Sequence, residues 1–367
     1  MRVVIISLMC WLTATPLAHA QINPQTIQPN TTMADPGANW FMLVAKPAGY
    51  IFDATTGEMQ GMVSISGMTP AVQPSMERRE FYNASSFYSR GVHGDRTDIL
   101  SIHDFENLSP IGEIEIPAKI ASLNFQSYIG LMSEGKHVAV ANISPALSMS
   151  IVDIEERVFV GEISTPGCGL ILPVDNNDFL TICADGSLML IDLDDNGREQ
   201  NRIRAKQFFD VHDDPIFDHP VPTSDGWLLF SHGGKAFDVT VENDQIKVSS
   251  AWNLVTEDEA QENWWPGGRQ LGTLHKDLGL FYIIMHQGDQ YTHHEPGSEI
   301  WVFSTHSQRK IATIQLENPV TTIMVTQENE PLLIVSESGG ATKVYDALTF
   351  KHQRTIEGPS AALFLDL

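Results

Sequence analysis

Residues 150–163 read SIVDIEERVFVGEI, two runs of alternating apolar and polar residues on either side of an acidic turn. Alternation on both sides of a polar turn is typical of a β-hairpin. Stretches of the same design recur along the chain, and each has a marker residue at or near the end of its first run. The seven markers are Asp53, Asp104, Asp153, Asp192, Asp238, Ser304 and Asp346. The sequence therefore predicts seven successive hairpins.

The spacing of these hairpins predicts the architecture. The markers lie about 49 residues apart on average, within the roughly 40–50 residues expected of one propeller blade. We predict an all-β fold over residues 38–367, a seven-bladed β-propeller of four-stranded antiparallel blades. The widest interval holds TEDEAQENWWPGGRQ (256–270), which we expect to begin as a short polar helix and to end in a Pro-Gly-Gly turn.

The two ends of the chain are expected to share one blade. Residues 40–44 and 49–53 provide only two strands before the first hairpin turn, whereas AALFLDL (361–367) lies beyond the last hairpin. The C-terminal strand would supply the innermost strand of the first blade and close the propeller, which leaves only short sheet edges exposed.

The first 20 residues have the composition of a secretory signal peptide. Arg2 gives a positive start, residues 3–12 are mostly apolar, and Ala18-His19-Ala20 is a small-x-small cleavage pattern. Such a segment is too short to span a membrane. Residues 21–37 are polar and contain prolines, so we expect a flexible arm. We predict a soluble exported protein cleaved after Ala20, periplasmic if the source is a Gram-negative bacterium.

The charge of the chain restricts its partners. Lys and Arg total 22 against 46 Asp and Glu, a formal net charge of −24. A nucleic-acid partner is excluded, because phosphate backbones are bound by clusters of Lys and Arg that this sequence lacks. No membrane span is expected after residue 20. The acidity is compatible with attraction of cationic ligands or of a basic protein partner.

Two cysteines, Cys168 and Cys183, remain after the predicted cleavage. In an oxidising compartment an isolated pair favours a disulfide, and two buried thiols are the alternative. A disulfide that closes a loop of about 15 residues would stabilise the fold by roughly 3 kcal/mol. No Cys-x-x-Cys motif points to a redox role.

Residues that could carry chemistry are few. The stretch HQGDQYTHHE (286–295) collects three His and two acids, but its spacing matches no metal-ligand pattern, and we interpret it as a solvated connection between strands. Trp264 and Trp265 could stack on a ligand, or pack within the protein or an interface. Motifs for covalent haem, phosphate binding, a nucleophile elbow or a zinc protease are absent. We predict no metal site and no catalytic residue on this chain, which favours a scaffold or binding subunit.

Five longer segments carry a family resemblance: YSRGVHGDRTDILSIHD (88–104), GCGLILPVDNNDFLTICADGSLMLI (167–191), DDPIF (213–217), NWWPGGRQLGTLH (263–275) and IIMHQGDQYTHHEPGSEIWVF (283–303). They closely resemble the heavy subunit of the tryptophan tryptophylquinone-dependent amine dehydrogenases. The similarity is greater to the aromatic (aralkyl) amine type than to the methylamine type. Trp265 and Arg269 depart from the aromatic-amine pattern.

The resemblance implies a periplasmic heterotetramer of two heavy and two light chains. The quinone forms from two crosslinked tryptophans of the light chain, so Trp264 and Trp265 are not its precursors. The enzyme would oxidise a primary amine to aldehyde and ammonia and pass the electrons to a blue copper protein or a c-type cytochrome. The heavy chain would seat the light chain and form part of the substrate channel.

Four residues acquire expected roles from the resemblance. Phe87 and Tyr88 match the aromatic position that lines the substrate channel, and ordinary interface aromatics are the alternative. Arg96 and Asp98 match a motif that we interpret as a structural turn pair. The alternative function is a stand-alone periplasmic propeller that binds a ligand or partner; a propeller enzyme with its own cofactor is disfavoured by the missing ligand motifs.

Overall fold

A computed structural model describes residues 32–68, 72–118, 120, 125–289 and 292–367. The predicted signal peptide (1–20) and most of the predicted arm (21–37) lie outside the described residues. Residues Met33–Leu367 form one compact unit. None of the described helices is long and apolar enough to cross a membrane.

The strands follow one another along the whole unit. The first fifteen are β1 (Trp40–Ala45), β2 (Ala48–Asp53), β3 (Met59–Ser64), β4 (Val72–Ser75), β5 (Glu80–Tyr88), β6 (Arg96–Asp104), β7 (Pro110–Ile116), β8 (Ile129–Leu131), β9 (His137–Asn142), β10 (Ser148–Asp153), β11 (Val158–Ser164), β12 (Cys168–Pro173), β13 (Phe179–Cys183), β14 (Leu188–Leu193) and β15 (Glu199–Arg204). The others are β16 (Val221–Pro222), β17 (Gly226–Phe230), β18 (Lys235–Glu242), β19 (Gln245–Val248), β20 (Trp252–Asn253), β21 (Trp264–Pro266), β22 (Gly272–His275), β23 (Leu280–Gln287), β24 (Gly297–Ser304), β25 (Arg309–Val325), β26 (Leu332–Glu337), β27 (Thr342–Asp346), β28 (His352–Ile356) and β29 (Leu363–Asp366). A 3-10 turn at Gln126–Tyr128 and a helix α1 (Glu257–Gln261) complete the elements.

The seven predicted hairpins are present as antiparallel strand pairs: β2–β3, β6–β7, β10–β11, β14–β15, β18–β19, β24–β25 and β27–β28. At Asp53, Asp104, Asp153 and Asp346 the marker carboxylate accepts a hydrogen bond from the backbone N–H two residues later. This Asx turn explains why an acidic residue recurs at the end of the first strand.

The prediction of seven four-stranded blades closed by the C-terminal strand is wrong. The described strands form six hydrogen-bonded sheets, of which five have the four or five strands of a single blade and one has eight. The eight-stranded sheet is continuous because β25 pairs with β24 through its first part and with β26 through its second. Pro319 lies at the change of partner, where its missing N–H interrupts no ladder bond.

The first and last strands of the chain belong to one sheet, in the order β29-β1-β2-β3. Leu363, Phe364 and Leu365 of β29 are buried and join two apolar clusters. The side-chain amide of Gln270 donates to the backbone carbonyl of Phe364 and accepts from its N–H, at 3.0 and 2.6 Å. The C-terminal strand is therefore tied to the core by side chains and by backbone.

Connections in an up-and-down antiparallel sheet emerge alternately on its two sides. The β5–β6, β9–β10, β13–β14, β17–β18 and β23–β24 connections and the links between successive sheets therefore share one side, which we call the loop face. Helix α1 lies in one such link and begins with a capping box between Thr256 and Glu259. The short helix expected in residues 256–270 is thus confirmed.

Candidate binding site on the loop face

The predicted disulfide between Cys168 and Cys183 is confirmed. The two cysteines are direct register partners on β12 and β13, with Cα atoms 4.0 Å apart. Both are buried, and the Arg204 guanidinium lies 3.2 Å from the Cys168 sulfur. The bond fixes the start of β12 and the end of β13 on the loop face.

An apolar cavity of about 340 Å³ opens beside this disulfide. Its wall comes from five separate stretches of the chain at the loop face, and its main apolar side chains are Leu147, Met149, Leu170, Ile182, Phe209 and Ile216. The β12 strand is bulged between Gly169 and Leu172, and Leu170 has a φ of 71°, a conformation that costs a branched side chain free energy. Bulges and strained residues of this kind are concentrated next to functional sites.

Two polar side chains interrupt the apolar wall, Asn142 and Asp218. Asn142 is only 2% exposed, and its Nδ2 donates to the hydroxyls of Ser148 and Ser150 at 3.1 and 2.9 Å. Its Oδ1 has no hydrogen-bond partner. Burial raises the pKa of the Asp218 carboxyl, against a smaller lowering by a backbone hydrogen bond. The Asn142 oxygen is thus enclosed by protein, whereas the Asp218 side chain is partly exposed and lies 3.6 Å from the His219 imidazole.

Phe87 and Tyr88 lie at the end of β5, on the hairpin that joins β5 to β6 at the loop face. The Phe87 side chain is exposed and Tyr88 is half-buried, so both sequence-predicted residues are at the surface where a partner chain could contact them. Whether they line a substrate channel remains a prediction.

Arg96 and Asp98 form the structural pair that the sequence indicates, although both lie within β6 and outside the turn. Arg96 Nε and Nη2 each donate to the Asp98 carboxylate at 2.7 Å. Asp98 is fully buried, and its hydrogen bonds with Arg96 are the main cause that raises the pKa of the guanidinium. The bidentate geometry is the strongest form of this contact.

The same pair connects the hairpin to the apolar cavity through Ile120. The Ile120 N–H donates to Asp98 at 3.0 Å, and its carbonyl accepts from Arg96 at 2.6 Å. Ile120 also forms an antiparallel bridge with Asn142. The chain of contacts therefore runs from the hairpin that carries Phe87 to the amide that lines the cavity.

A second cavity, of about 400 Å³, adjoins the first and is lined by His232, His286 and His293. The ring centroids of His232 and His293 are 4.2 Å apart, and those of His293 and His294 are 4.1 Å apart. His286 is buried and bonds Thr292 at 2.8 Å. The interpretation of residues 286–295 as a solvated connection is therefore wrong for His286.

The surroundings of His232, His286 and His293 favour the neutral imidazole. Burial, then the neighbouring His293, lowers the pKa of His232 to about 4, and burial lowers the pKa of His286 and His293 as well. Among the residues that the structure describes, no group of three or more His, Cys, Asp or Glu side chains is arranged to hold a metal ion.

The partial burial of His232 predicts a pH-dependent stability. Its pKa is about 4 in the folded chain against about 6.5 unfolded, so the unfolded state binds more protons between these values and stability falls as the pH drops from 6.5 to 4. We expect His232→Gln to have a shallower decrease of Tm over this range than the wild type. The pKa of the Asp178 carboxyl is raised to about 7, so this group makes Tm rise as the pH falls. This contribution is the same in the wild type and in His232→Gln. His212→Gln, at an exposed imidazole, is the control, and equal slopes for His232→Gln and wild type would refute the prediction.

Trp264 and Trp265 follow one another in β21 and are both half-buried. Trp264 packs on Trp301 with ring centroids 5.6 Å apart, and Trp265 lines the histidine cavity. A Cβ atom at Gly267 would lie 2.3 Å from the His286 ring. The Pro-Gly-Gly turn therefore needs glycine here so that the histidine can pack against the backbone.

No chemical motif in the sequence singles out Asn142, Leu170 or Asp218 as a site residue. Asn142 ends β9, Leu170 lies in β12 and Asp218 lies in the link between β15 and β16, so only the packing of neighbouring sheets brings them together. Leu170 lies within the segment 167–191 and Asp218 directly follows DDPIF (213–217), so two of the segments that carry the resemblance contribute to the cavity wall.

The fold and the loop face define a β-propeller that presents adjoining binding cavities on one side. The model of the methylamine dehydrogenase heavy chain family matches residues 32–362, and the chain belongs to this family. Curated relatives include the methylamine dehydrogenase heavy chains of Methylophilus methylotrophus (27% identity; 84% of this chain, 76% of the relative) and Paracoccus versutus (27% identity; 84% and 72%). These names confirm the predicted class, an amine dehydrogenase subunit.

Solved structures of lower sequence identity have a similar fold. Hydrazine synthase of Kuenenia stuttgartiensis matches with a TM-score of 0.59 and 12% identity, over 91% of this chain and 99% of that one. Dihydro-heme d1 dehydrogenase NirN matches with a TM-score of 0.56 and 15% identity, over 94% and 79%. At these identities the similarity concerns the fold alone.

Proposed function

We propose that this chain is the heavy subunit of a periplasmic amine dehydrogenase, assembled with a quinone-bearing light chain as an α2β2 heterotetramer. The family match over residues 32–362 carries the proposal. The light chain would hold the tryptophan tryptophylquinone, whose chemistry is the two-electron oxidation of a primary amine, with water, to aldehyde and ammonia. Electrons then leave to a blue copper protein or a c-type cytochrome.

The light chain docks on the loop face in this proposal. Three large apolar side chains there are exposed: Phe87 (46%), Val92 (78%) and Ile143 (46%). Exposed apolar residues that lie together on one side of a protein are typical of an interaction surface. The role of this chain is to seat the light chain and to keep water away from part of the substrate path.

Activity of the assembly tests the proposal. The complex purified from the native host should oxidise a primary amine with an artificial electron acceptor and release aldehyde and ammonia in equal amounts. The heavy chain alone should have no such activity. An amine-independent signal, or amine oxidation by the heavy chain alone, would contradict it.

We further propose that the substrate is an aralkylamine and that Phe87 and Tyr88 form part of the channel wall. An aromatic wall gains specific contacts with an aromatic ring that methylamine cannot make. We expect Phe87→Ala in the assembled enzyme to lower kcat/KM for 2-phenylethylamine relative to methylamine by about tenfold, and Tyr88→Ala to act in the same direction. Phe159→Ala, at an exposed phenylalanine of β11, is the matched control. Unchanged specificity in both hairpin variants would remove the two residues from the channel.

Export is the remaining part of the proposal. The mature chain recovered from the periplasm should begin at Gln21, which N-terminal sequencing would establish. A mature protein that retains residues 1–20, or that is recovered only from the cytoplasm, would exclude it.

A further inference from the structure

We infer that Asp178 and Asp192 share one proton and form a pH-sensitive clamp on the side of the protein opposite the loop face. The proton holds the β12–β13 turn (174–178) against the end of β14, and its loss releases the turn. The clamp is a property of this chain alone and does not rest on the proposed function.

The strand register places the two carboxyl groups opposite each other. Phe179 of β13 pairs with Ile191 of β14, so Asp178 and Asp192 occupy the next opposed positions of the same antiparallel pair. Side chains at opposed positions lie on one side of the sheet, with Cβ atoms about 4.5–5.5 Å apart. Two ionised carboxylates in this arrangement would repel each other.

No positive charge relieves this repulsion. Asp178 is only 3% exposed, and in the described part of the chain no Lys, Arg or His forms an ion pair with Asp178 or Asp192. The Oδ1 atom of Asp178 is enclosed and meets no N–H or O–H donor of the described residues. A buried carboxylate oxygen without a donor is unfavourable, whereas a protonated carboxyl group can itself donate. The side-chain hydrogen bond between Asp178 and Asp192 requires such a proton.

The surroundings keep this proton in place up to neutral pH. Burial, then the Asp192 carboxylate and the Asp244 carboxylate in the β18–β19 turn, raises the pKa of Asp178 to about 7. The backbone N–H of Leu193 opposes this shift by a smaller amount. The pair is therefore half-protonated near pH 7.

Asp192 is available for this contact because another residue caps its turn. In the β14–β15 turn the backbone N–H groups of residues 196 and 198 both donate to Asp194 at 2.9 Å. In four other hairpins the marker carboxylate accepts from its own turn. In this hairpin the marker carboxylate instead faces Asp178.

The turn that the pair holds also contacts the neighbouring sheets. The Asn177 N–H donates at 3.1 Å to the hydroxyl of Ser133, which lies between β8 and β9. Asn177 Nδ2 lies 3.5 Å from Nδ1 of His137, and this ring nitrogen lies 2.8 Å from Glu134. Asp244 approaches from the sheet on the other side. Release of the turn would therefore loosen a place where three sheets meet.

Infrared spectroscopy of the full chain tests for the shared proton. The spectrum of the wild type minus that of Asp178→Asn should contain the C=O absorption of a protonated carboxyl group at pH 6, and this absorption should disappear with a midpoint at about pH 7. Asp192→Asn should move the midpoint down by about one pH unit or more, because the like charge is gone. Asp175→Asn, at an exposed carboxyl of the same turn, is the matched control and should keep the wild-type spectrum.

Hydrogen exchange measured by mass spectrometry tests the release of the turn. After correction for the intrinsic pH dependence, peptides that cover residues 174–180 and 189–195 should lose protection about tenfold in the wild type between pH 6 and pH 8. Asp178→Asn should keep this protection, because its amide donates to Asp192 at every pH. Asp175→Asn should behave as the wild type does.

Thermal unfolding gives the corresponding energetic sign. The pKa of Asp178 is about 7 in the folded chain against about 3.9 in the unfolded chain, so the folded state binds more protons between these values. The Tm of the wild type should therefore fall relative to that of Asp178→Asn as the pH rises from about 4 to about 7, and the difference should stay constant above that.

Three results would overturn the inference. The first is an infrared difference spectrum without a carboxyl absorption at pH 6, and the second is equal protection of both peptides at pH 6 and pH 8. The third is a wild-type Tm that falls when EDTA is added at pH 6, since the pair would then hold a cation in place of the proton. If Asp178→Asn does not fold, Asp192→Asn decides, because an unchanged midpoint in that variant would also refute the shared proton.

Discussion

Deletion of residues 360–367 is expected to abolish stable folding of the chain. The deletion removes β29, which forms four register pairs with β1 between Val44–Leu363 and Phe41–Asp366. It also removes three fully buried large side chains, Leu363, Phe364 and Leu365. Loss of each costs about 2–5 kcal/mol, and their sum is comparable with the whole stability of a typical domain, about 5–15 kcal/mol.

A point variant keeps this prediction measurable if the truncated chain is insoluble. Phe364→Ala should lower the free energy of unfolding by about 3–5 kcal/mol, because the side chain packs against Phe41 with ring centroids 5.6 Å apart. Leu348→Ala, at an exposed leucine, should change it by less than about 0.5 kcal/mol. Thermal or denaturant unfolding measures both. A truncated chain with the wild-type Tm would show that β29 does not hold the unit together.

The second large effect is expected at Arg96. Arg96→Met leaves the fully buried Asp98 carboxylate with the Ile120 N–H as its remaining donor among the bonds described above. Removal of one partner of a buried ion pair typically costs about 3–5 kcal/mol. We therefore expect a lower Tm together with altered amine specificity, since the hairpin that carries Phe87 loses its anchor.

Two further variants separate this effect from the mere loss of an arginine. Arg202→Met breaks an exposed bidentate pair with Glu199, which should cost about 1 kcal/mol or less. The double variant Arg96→Met with Asp98→Asn should be less destabilised than Arg96→Met alone, because the unpaired charge is gone while the acceptor for Ile120 remains. Equal destabilisation by Arg96→Met and Arg202→Met would contradict the buried-pair account.

Much of the fold could be predicted because its determinants are local. Alternating apolar residues define each hairpin within about fifteen residues, and in four of the seven an Asp caps its own turn. The grouping of hairpins into sheets could not be predicted in the same way. The grouping depends on whether a strand ends between two sheets. Residues 309–325 form one continuous strand through Pro319, although a proline at this position would suggest that the strand ends there.

The candidate site, too, has features that local sequence predicts and features that it does not. The disulfide follows from two cysteines and the predicted oxidising compartment. Arg96 and Asp98 were marked as a structural pair by the family resemblance, but the prediction placed them in a turn and the structure places them in β6. The cavity depends on contacts among links of different sheets, which leave no periodic signal. His286 was predicted to be solvated because its neighbours in the sequence are polar. In the structure the backbone of Gly267 packs against its ring.

Purification of this chain from the periplasm of its native host, grown on a primary amine, tests the central claim most directly. We expect it to co-purify in equal amounts with a small, cysteine-rich chain that has the absorbance of a tryptophan-derived quinone, in an assembly of two copies of each. Recovery of this chain alone, folded and monomeric, with no quinone absorbance in any associated protein, would contradict it and favour a stand-alone binding propeller.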